Sequence, residues 1–189
     1  MKEPDAETVA QAKGGDPQAF RAIVVAYQDH VHRLLARMLA GVVPRAEIDD
    51  LAQETFLRVH QALPGFTPEG PGRLTRWIIT IATRLGIDAL RRSRLREVPL
   101  DETALGPAEG LGGIASDPAT LEYLSSAMAQ AIASLPVEQR SVFMLRDYFE
   151  LDYADIAAVL GIELGTVKSR LSRARAALRK ILSATGGSA

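Results

Sequence analysis

From Phe20 onward the apolar residues Ile23, Val24, Tyr27, Val31, Leu34, Leu35, Met38 and Leu39 recur at intervals of three and four, which lines them along one face of a long helix. Such a face cannot stand alone in water, because most helical stability comes from covering it. The same period returns from about Ile48, with Leu51, Ala52, Thr55, Phe56 and Val59 inward, and again from near Leu74, with Trp77, Ile78, Ile81, Ala82, Leu85 and Ala89 on one side. Arg76, Arg84, Arg91 and Arg94 leave that third helix largely by its other side. The punctuation agrees. Asp16-Pro17 after Gly14-Gly15 reads as an N-cap followed by a first-turn proline, Gly41 and Pro44 end the first long helix, and Leu63-Pro64-Gly65 ends the next. Residues 5–13 read as a short helix ahead of these. Strand alternation and repeats are absent, so the chain is expected to be all-α.

Residues 97–117 hold Pro99, Pro107 and a glycine-rich run with no sustained period, and read as a flexible linker. Two small helical domains follow, 1–96 and 118–189, the second with helices at about 118–134, 136–149, 152–160 and 164–183. Asp152 to Asp155 can cap a short helix whose Ile156, Ala157 and Leu160 face inward, Gly161 can supply a left-handed turn, and Ile162 can anchor it. The last helix has Val167, Leu171, Ala174, Leu178 and Ile181 as its buried stripe and displays Thr166, Lys168, Ser169, Arg170, Ser172, Arg173 and Arg175 on its other side. This is the pattern of a helix-turn-helix, with phosphate and base-edge ligands on a rod narrow enough for the major groove.

Charge is distributed to match. Net charge over the whole chain is −1, yet residues 73–96 carry seven basic and one acidic side chain and residues 161–189 carry six and one, whereas 97–160 carry two and eleven. Two short cationic blocks between acidic ones suit two discrete polyanion-facing surfaces on a chain that resists indiscriminate adhesion. With no cysteine, disulfides, thiolate metal sites and thiol catalysis are excluded. The polar, acid-bearing N-terminus is unlike a secretory signal, and the most apolar stretch, Trp77 to Leu90, is interrupted by Arg84 and Asp88 and too short to span a bilayer. A cytoplasmic protein without membrane contact of its own is expected. His30, His32 and His60 are the only histidines, and the first two, two apart on a helix, point in different directions. Nothing resembles a nucleophile triad or a phosphate-binding glycine loop, so no enzyme, cofactor or metal is expected.

Leu135-Pro-Val-Glu-Gln-Arg140, Tyr153-Ala-Asp-Ile-Ala157 and Gly165-Thr-Val-Lys-Ser-Arg-Leu-Ser-Arg-Ala-Arg175 closely resemble the promoter-reading C-terminal domain of bacterial sigma factors of the extracytoplasmic-function (ECF) group. Asp16-Pro-Gln-Ala-Phe20, Asp50 to Val59 and Trp77 to Arg92 resemble that group's other conserved domain in order and spacing. The resemblance covers nearly the whole chain outside the linker and the tips.

It implies a protein that binds core RNA polymerase and directs promoter-specific initiation, commonly held in check by an anti-sigma factor. By resemblance Asp49, Asp50, Gln53, Glu54, Phe56, Leu57 and Arg58 meet the clamp helices of the polymerase. Phe66, Arg73, Arg76, Thr80, Arg84, Ile87 and Arg91 meet the minus-ten element, where a base of the non-template strand is captured, while Trp77, on the apolar stripe, is expected to pack in the core. Thr166, Lys168, Ser169, Arg170, Ser172, Arg173 and Arg175 meet the minus-thirty-five element. Asp88, one turn from Arg84, is expected to hold a neighbouring arginine in place.

Three departures stand out. The loop Thr67 to Arg73 is longer and richer in Pro and Gly than the family pattern, Arg84 replaces the common Asn, and Glu163 stands where Ser or Thr usually caps the recognition helix. The competing reading is a free-standing helix-turn-helix repressor or activator that acts without polymerase. It leaves the first cationic block and its aromatic-bearing loop without a role.

Overall fold

The computed structural model describes residues 3–67, 73–96 and 128–186, and every regular element among them is helical. The expected linker 97–117, the first part of the helix expected from 118, and residues 68–72 of the long loop lie outside the described residues. The chain forms two compact units, one built from residues up to 36 and from 43–96, the other from 37–42 and the residues from 128 onward.

The first unit holds α1 (Ala6–Lys13), most of α2 (Pro17–Leu39), α3 (Arg45–Ala62), a 3-10 turn (Leu63–Gly65) and α4 (Arg73–Arg96). Asp5 caps α1 by accepting from the Thr8 amide at 2.8 Å. Asp16 caps α2 as the sequence indicates, one carboxylate oxygen accepting from the amides of Gln18 and Ala19 at 2.7 and 3.2 Å. Between them Gly15 turns the chain at φ 90°, a conformation that costs a residue with a Cβ. The predicted α2 stripe is the core: Ile23, Tyr27, Val31, Leu34 and Leu35 are buried, and Leu51, Val59, Leu63, Ile78, Ile79 and Ala82 close over it. α3 begins at Arg45, three residues before its first buried apolar residue, Ile48. Its N-cap, Pro44, has no side chain to cap with.

In the second unit residues 128–133 are helical (α5), followed by α6 (Val137–Phe143), α7 (Tyr153–Leu160) and α8 (Leu164–Gly186). The helix expected over 136–149 is not uniform. After Phe143 it widens into a π-turn, Met144–Tyr148, with the Phe149 amide donating to the Met144 carbonyl at 3.1 Å and the Leu151 amide to the Leu145 carbonyl at 2.9 Å. Glu150 closes this end at φ 56°, a left-handed position usually given to Gly or Asn. Asp152 does not cap α7 with its side chain as expected. It pairs instead with Arg146, 3.7 Å away, whose guanidinium also donates to the Leu151 carbonyl at 2.8 Å and lies over the Tyr153 ring. Gly161 takes the predicted left-handed turn at φ 63°. Val167, Leu171, Ala174 and Leu178 form the buried stripe of α8 against Ile156, Val142 and Leu145.

Arg140 is 4% exposed. Its guanidinium donates to the carbonyls of Ala133, Leu135 at 3.0 Å and Ala40 at 2.8 Å, the last within the stretch 37–42 that belongs to the second unit. Burial holds its pKa below the usual arginine value; the carbonyls supply partners for both terminal nitrogens, while the buried Nε has none among the described residues.

Candidate nucleic-acid and protein interfaces

Three exposed faces carry the expected residues. On α4, positions 73, 76, 80, 84, 87 and 91 follow at three- and four-residue steps and so share one face. Arg73, Arg76, Arg84 and Arg91 are exposed there, with Thr80 and Ile87 half-buried between them. Asp88 acts as expected: its carboxylate lies 3.6 Å from Arg91. Arg92 turns to α3, 3.7 Å from Glu47, and helps to hold the two helices together.

The aromatic pair at the start of this face is the reverse of expectation. Phe66 is 5% exposed, whereas Trp77 is only half-buried, their rings stacked at 4.7 Å and tilted by 30°. The 3-10 turn donates the Phe66 amide back to the Leu63 carbonyl and folds Phe66 under the helix, so Trp77 lies over it. Phe66 therefore offers nucleic acid no open ring face, and Trp77 is the aromatic nearer solvent.

α3 keeps Ile48, Leu51, Thr55 and Val59 inward and presents Asp49, Asp50, Gln53, Leu57 and Arg58 outward, with Glu54 and Phe56 partly covered. Leu57 is 52% exposed, an apolar side chain framed by Asp50, Gln53 and the Glu54–Arg58 ion pair at 2.8 Å. An exposed anchor inside a polar rim is the anatomy of a protein-binding patch. Asp49 is partly occupied by His32, 2.9 Å away on α2. His60 packs edge-on against Phe20, so two of the three histidines have structural partners. Among the described residues no group of three or more His, Asp or Glu could hold a metal ion.

On α8, Lys168, Ser169, Ser172 and Arg173 are exposed, and Thr166, Arg170 and Arg175 are half-buried. A concavity of about 320 Å³ runs between α7 and α8, lined by Tyr153, Lys168, Leu171, Ser172, Arg175 and Arg179. Lys168, Arg175 and Arg179 line it with three cations. Arg175 is a less open ligand than its neighbours. Its Nε donates to Asp147 at 2.9 Å and its terminal nitrogen to the other carboxylate oxygen, a bidentate pair that raises its pKa further.

Family comparisons follow the same two-part order. The Sigma-70 region 2 family matches residues 23–96 and the Sigma-70 region 4 family matches residues 125–178. An ECF RNA polymerase sigma factor of Bacillus subtilis, SigW, is 36% identical over 183 residues, covering 92% of this chain and 94% of its own.

The chain belongs to the ECF sigma factors.

The RNA polymerase sigma-H factor of Pseudomonas aeruginosa is 31% identical over 96% of this chain and 95% of its own. Among solved structures, the sigma factor RpoE of Bartonella quintana, in complex with the anti-sigma factor NepR, aligns with TM-score 0.63 and 25% identity over 87% of this chain and 96% of that one. CnrH in complex with the cytosolic domain of CnrY aligns with TM-score 0.57 and 26% identity over 94% of this chain and 96% of that one. Among the described residues no helix is long and apolar enough to cross a membrane.

Sequence reasoning missed three residues of this ECF protein. Leu164, at the start of α8, is 42% exposed, and its one legible sign is an apolar residue off the helix stripe. Asp147 and Arg140 act on segments distant in sequence, and no spacing rule joins them to Arg175 or to the Ala40 carbonyl.

Proposed function

We propose that this ECF sigma factor binds core RNA polymerase through Asp49, Asp50, Gln53, Glu54, Phe56, Leu57 and Arg58, and directs promoter-specific initiation from the cytoplasm without catalysis of its own. The exposed cationic face of α4, from Arg73 to Arg91, meets the minus-ten element, and α8 enters the major groove of the minus-thirty-five element. On α8, Arg170 and Arg173, three apart and near the helix start, read base edges. Lys168 and Arg179 hold phosphates in the concavity beside Tyr153, and Leu164 supplies an apolar contact suited to a thymine methyl. An anti-sigma factor, the kind of partner seen with the Bartonella relative, would cover the α3 patch and block docking.

The observation that carries this reading is the pairing of two separate cationic helix faces, one per compact unit, with an apolar patch on α3 that neither DNA surface uses. Run-off transcription from genomic promoters, with and without purified core polymerase, tests it. Discrete transcripts only when both proteins are present are the expected result. Tight, specific DNA binding by the free protein with no transcript from any template would instead favour the repressor reading.

A further inference from the structure

Two charged residues of the N-terminal segment reach the two ends of the stretch that precedes the α4 face. A carboxylate oxygen of Glu3 lies 3.3 Å from the amide of Thr75 and 3.4 Å from its hydroxyl. The Tyr27 hydroxyl, 3.0 Å from that of Thr75, is 3.4 Å from the same oxygen, and burial pushes its pKa up to about 12. Thr75 is the third residue of α4, so its amide is one of the donors that a helix start leaves without an internal partner. Glu3 caps this helix from a distant part of the chain and sets a negative charge against its positive end. At the far end of α1, Lys13 donates to the Phe66 carbonyl at 2.5 Å. Phe66 is the buried residue under Trp77 from which the long loop departs. α1, eight residues long with Lys13 as its last residue, spans most of the chain between the two contacts.

Docking of α1 does not need either bond, since Val9 and Ala12 already bury its apolar side. Glu3 and Lys13 direct their charge to Thr75 and Phe66 instead, at the start of the α4 face and beneath its Trp77. We propose that Glu3 and Lys13 are positioning residues for minus-ten recognition: together they fix the Phe66 carbonyl and the Thr75 end of α4, and so the place and angle at which Trp77, Arg73 and Arg76 meet the non-template strand. The proposal rests on the reading of α4 as the minus-ten surface. It assigns a promoter-reading role to residues that lie outside the α4 face.

The test uses the full chain bound to core polymerase. A library with a randomised minus-ten element first gives the preferred sequence of the wild-type holoenzyme. Binding of a single-stranded oligonucleotide of that sequence is then compared with a scrambled one for wild type, Lys13→Met, Lys13→Arg, Glu3→Ala and Glu3→Gln, with core affinity and minus-thirty-five preference measured in parallel. The expected result is that Lys13→Met and Glu3→Ala each lower the cognate-to-scrambled ratio about tenfold, the size of one lost coupling between contacting residues. Core affinity and upstream preference stay unchanged, and Lys13→Arg, which keeps a cationic donor, restores most of the ratio. A ratio unchanged in Lys13→Met and Glu3→Ala, or a loss of core affinity equal to the loss of oligonucleotide binding in all four variants, overturns the positioning role of Glu3 and Lys13 while leaving the sigma-factor reading intact. A wild-type holoenzyme without any minus-ten preference overturns both.

Discussion

Arg175 and Asp147, twenty-eight residues apart, meet through two parallel hydrogen bonds that tie the recognition helix α8 to the π-turn after α6. The sequence places Arg175 beside Lys168 and Arg173 as a DNA ligand; in the fold its guanidinium is committed to a carboxylate of its own chain. Arg175→Ala is therefore expected to leave the salt dependence of promoter binding nearly unchanged, whereas Arg179→Ala lowers the slope of log affinity against log salt by about one. Electrophoretic mobility shifts of the holoenzyme at a series of salt concentrations distinguish the two. Asp147→Ala should lower the unfolding free energy by up to about 1 kcal/mol, the upper range for a partly exposed pair. Arg175→Lys should fail to preserve it, because an ammonium cannot make both bonds.

Arg140 predicts a larger effect. Arg140→Met keeps a long side chain but abandons the carbonyls of Ala133 and Leu135 inside the protein, at a cost of about 3 kcal/mol for groups left unsatisfied. Urea denaturation followed by circular dichroism should show the loss, and Arg140→Lys should recover little of it. A shift below about 0.5 kcal/mol, ordinary for a surface change, would mean that water replaces the guanidinium at no penalty.

Glu150 pays for a left-handed backbone without the residue suited to it. Glu150→Gly should raise the stability of the second unit by about 1 kcal/mol, and Glu150→Val should lower it by a similar amount. Thermal unfolding of the pair gives opposite signs if the backbone angle is the cause, and equal signs if the Glu150 side chain is what matters.

The α3 patch separates docking from folding. Leu57→Asp, at a site 52% exposed, is expected to leave the melting temperature within a degree or two while core affinity falls at least tenfold, as for an anchor at the centre of an interface. Fluorescence titration of labelled core measures the affinity, and the isolated upstream element provides the control, since the reading proposed for α8 does not involve α3.

Helices whose apolar residues keep one strict period are legible in the sequence: the α2 stripe from Ile23 to Leu39, apart from half-buried Val24, and the α8 stripe through Val167, Leu171 and Ala174 are buried where spacing puts them, while Phe20 at the start of α2 is only half-buried. The Asp16 cap and the Gly161 turn were equally plain, because each needs only its own neighbours. What escaped was set by partners far along the chain. Trp77 sits on the apolar stripe of α4, yet the preceding 3-10 turn inserts Phe66 beneath it and leaves the indole nearer solvent. Asp152 has the composition of a cap and is drawn away by Arg146. The π-turn breaks the period on which helix assignment rests, so a single helix over 136–149 was the natural expectation. Of the α8 residues, the exposure of Lys168, Ser169, Ser172 and Arg173 is readable, but the partial burial of Thr166 and Arg170 and the engagement of Arg175 are not.

The π-turn has a consequence for how promoter readers of this kind can be exchanged between proteins. It sends two adjacent side chains in different directions: Arg146 to the Leu151 carbonyl and Asp152, at the threshold of α7, and Asp147 to Arg175 on α8. Both halves of the helix-turn-helix thus hang from one bracket that lies outside them. A chimera that transplants only residues 153–186 would carry the reading surface without its mount and lose the angle between its helices, whereas a graft that begins at α5 would keep the bracket together with the Ala133 and Leu135 carbonyls that hold Arg140. The smallest portable cassette is two helices longer than the motif that gives it its name.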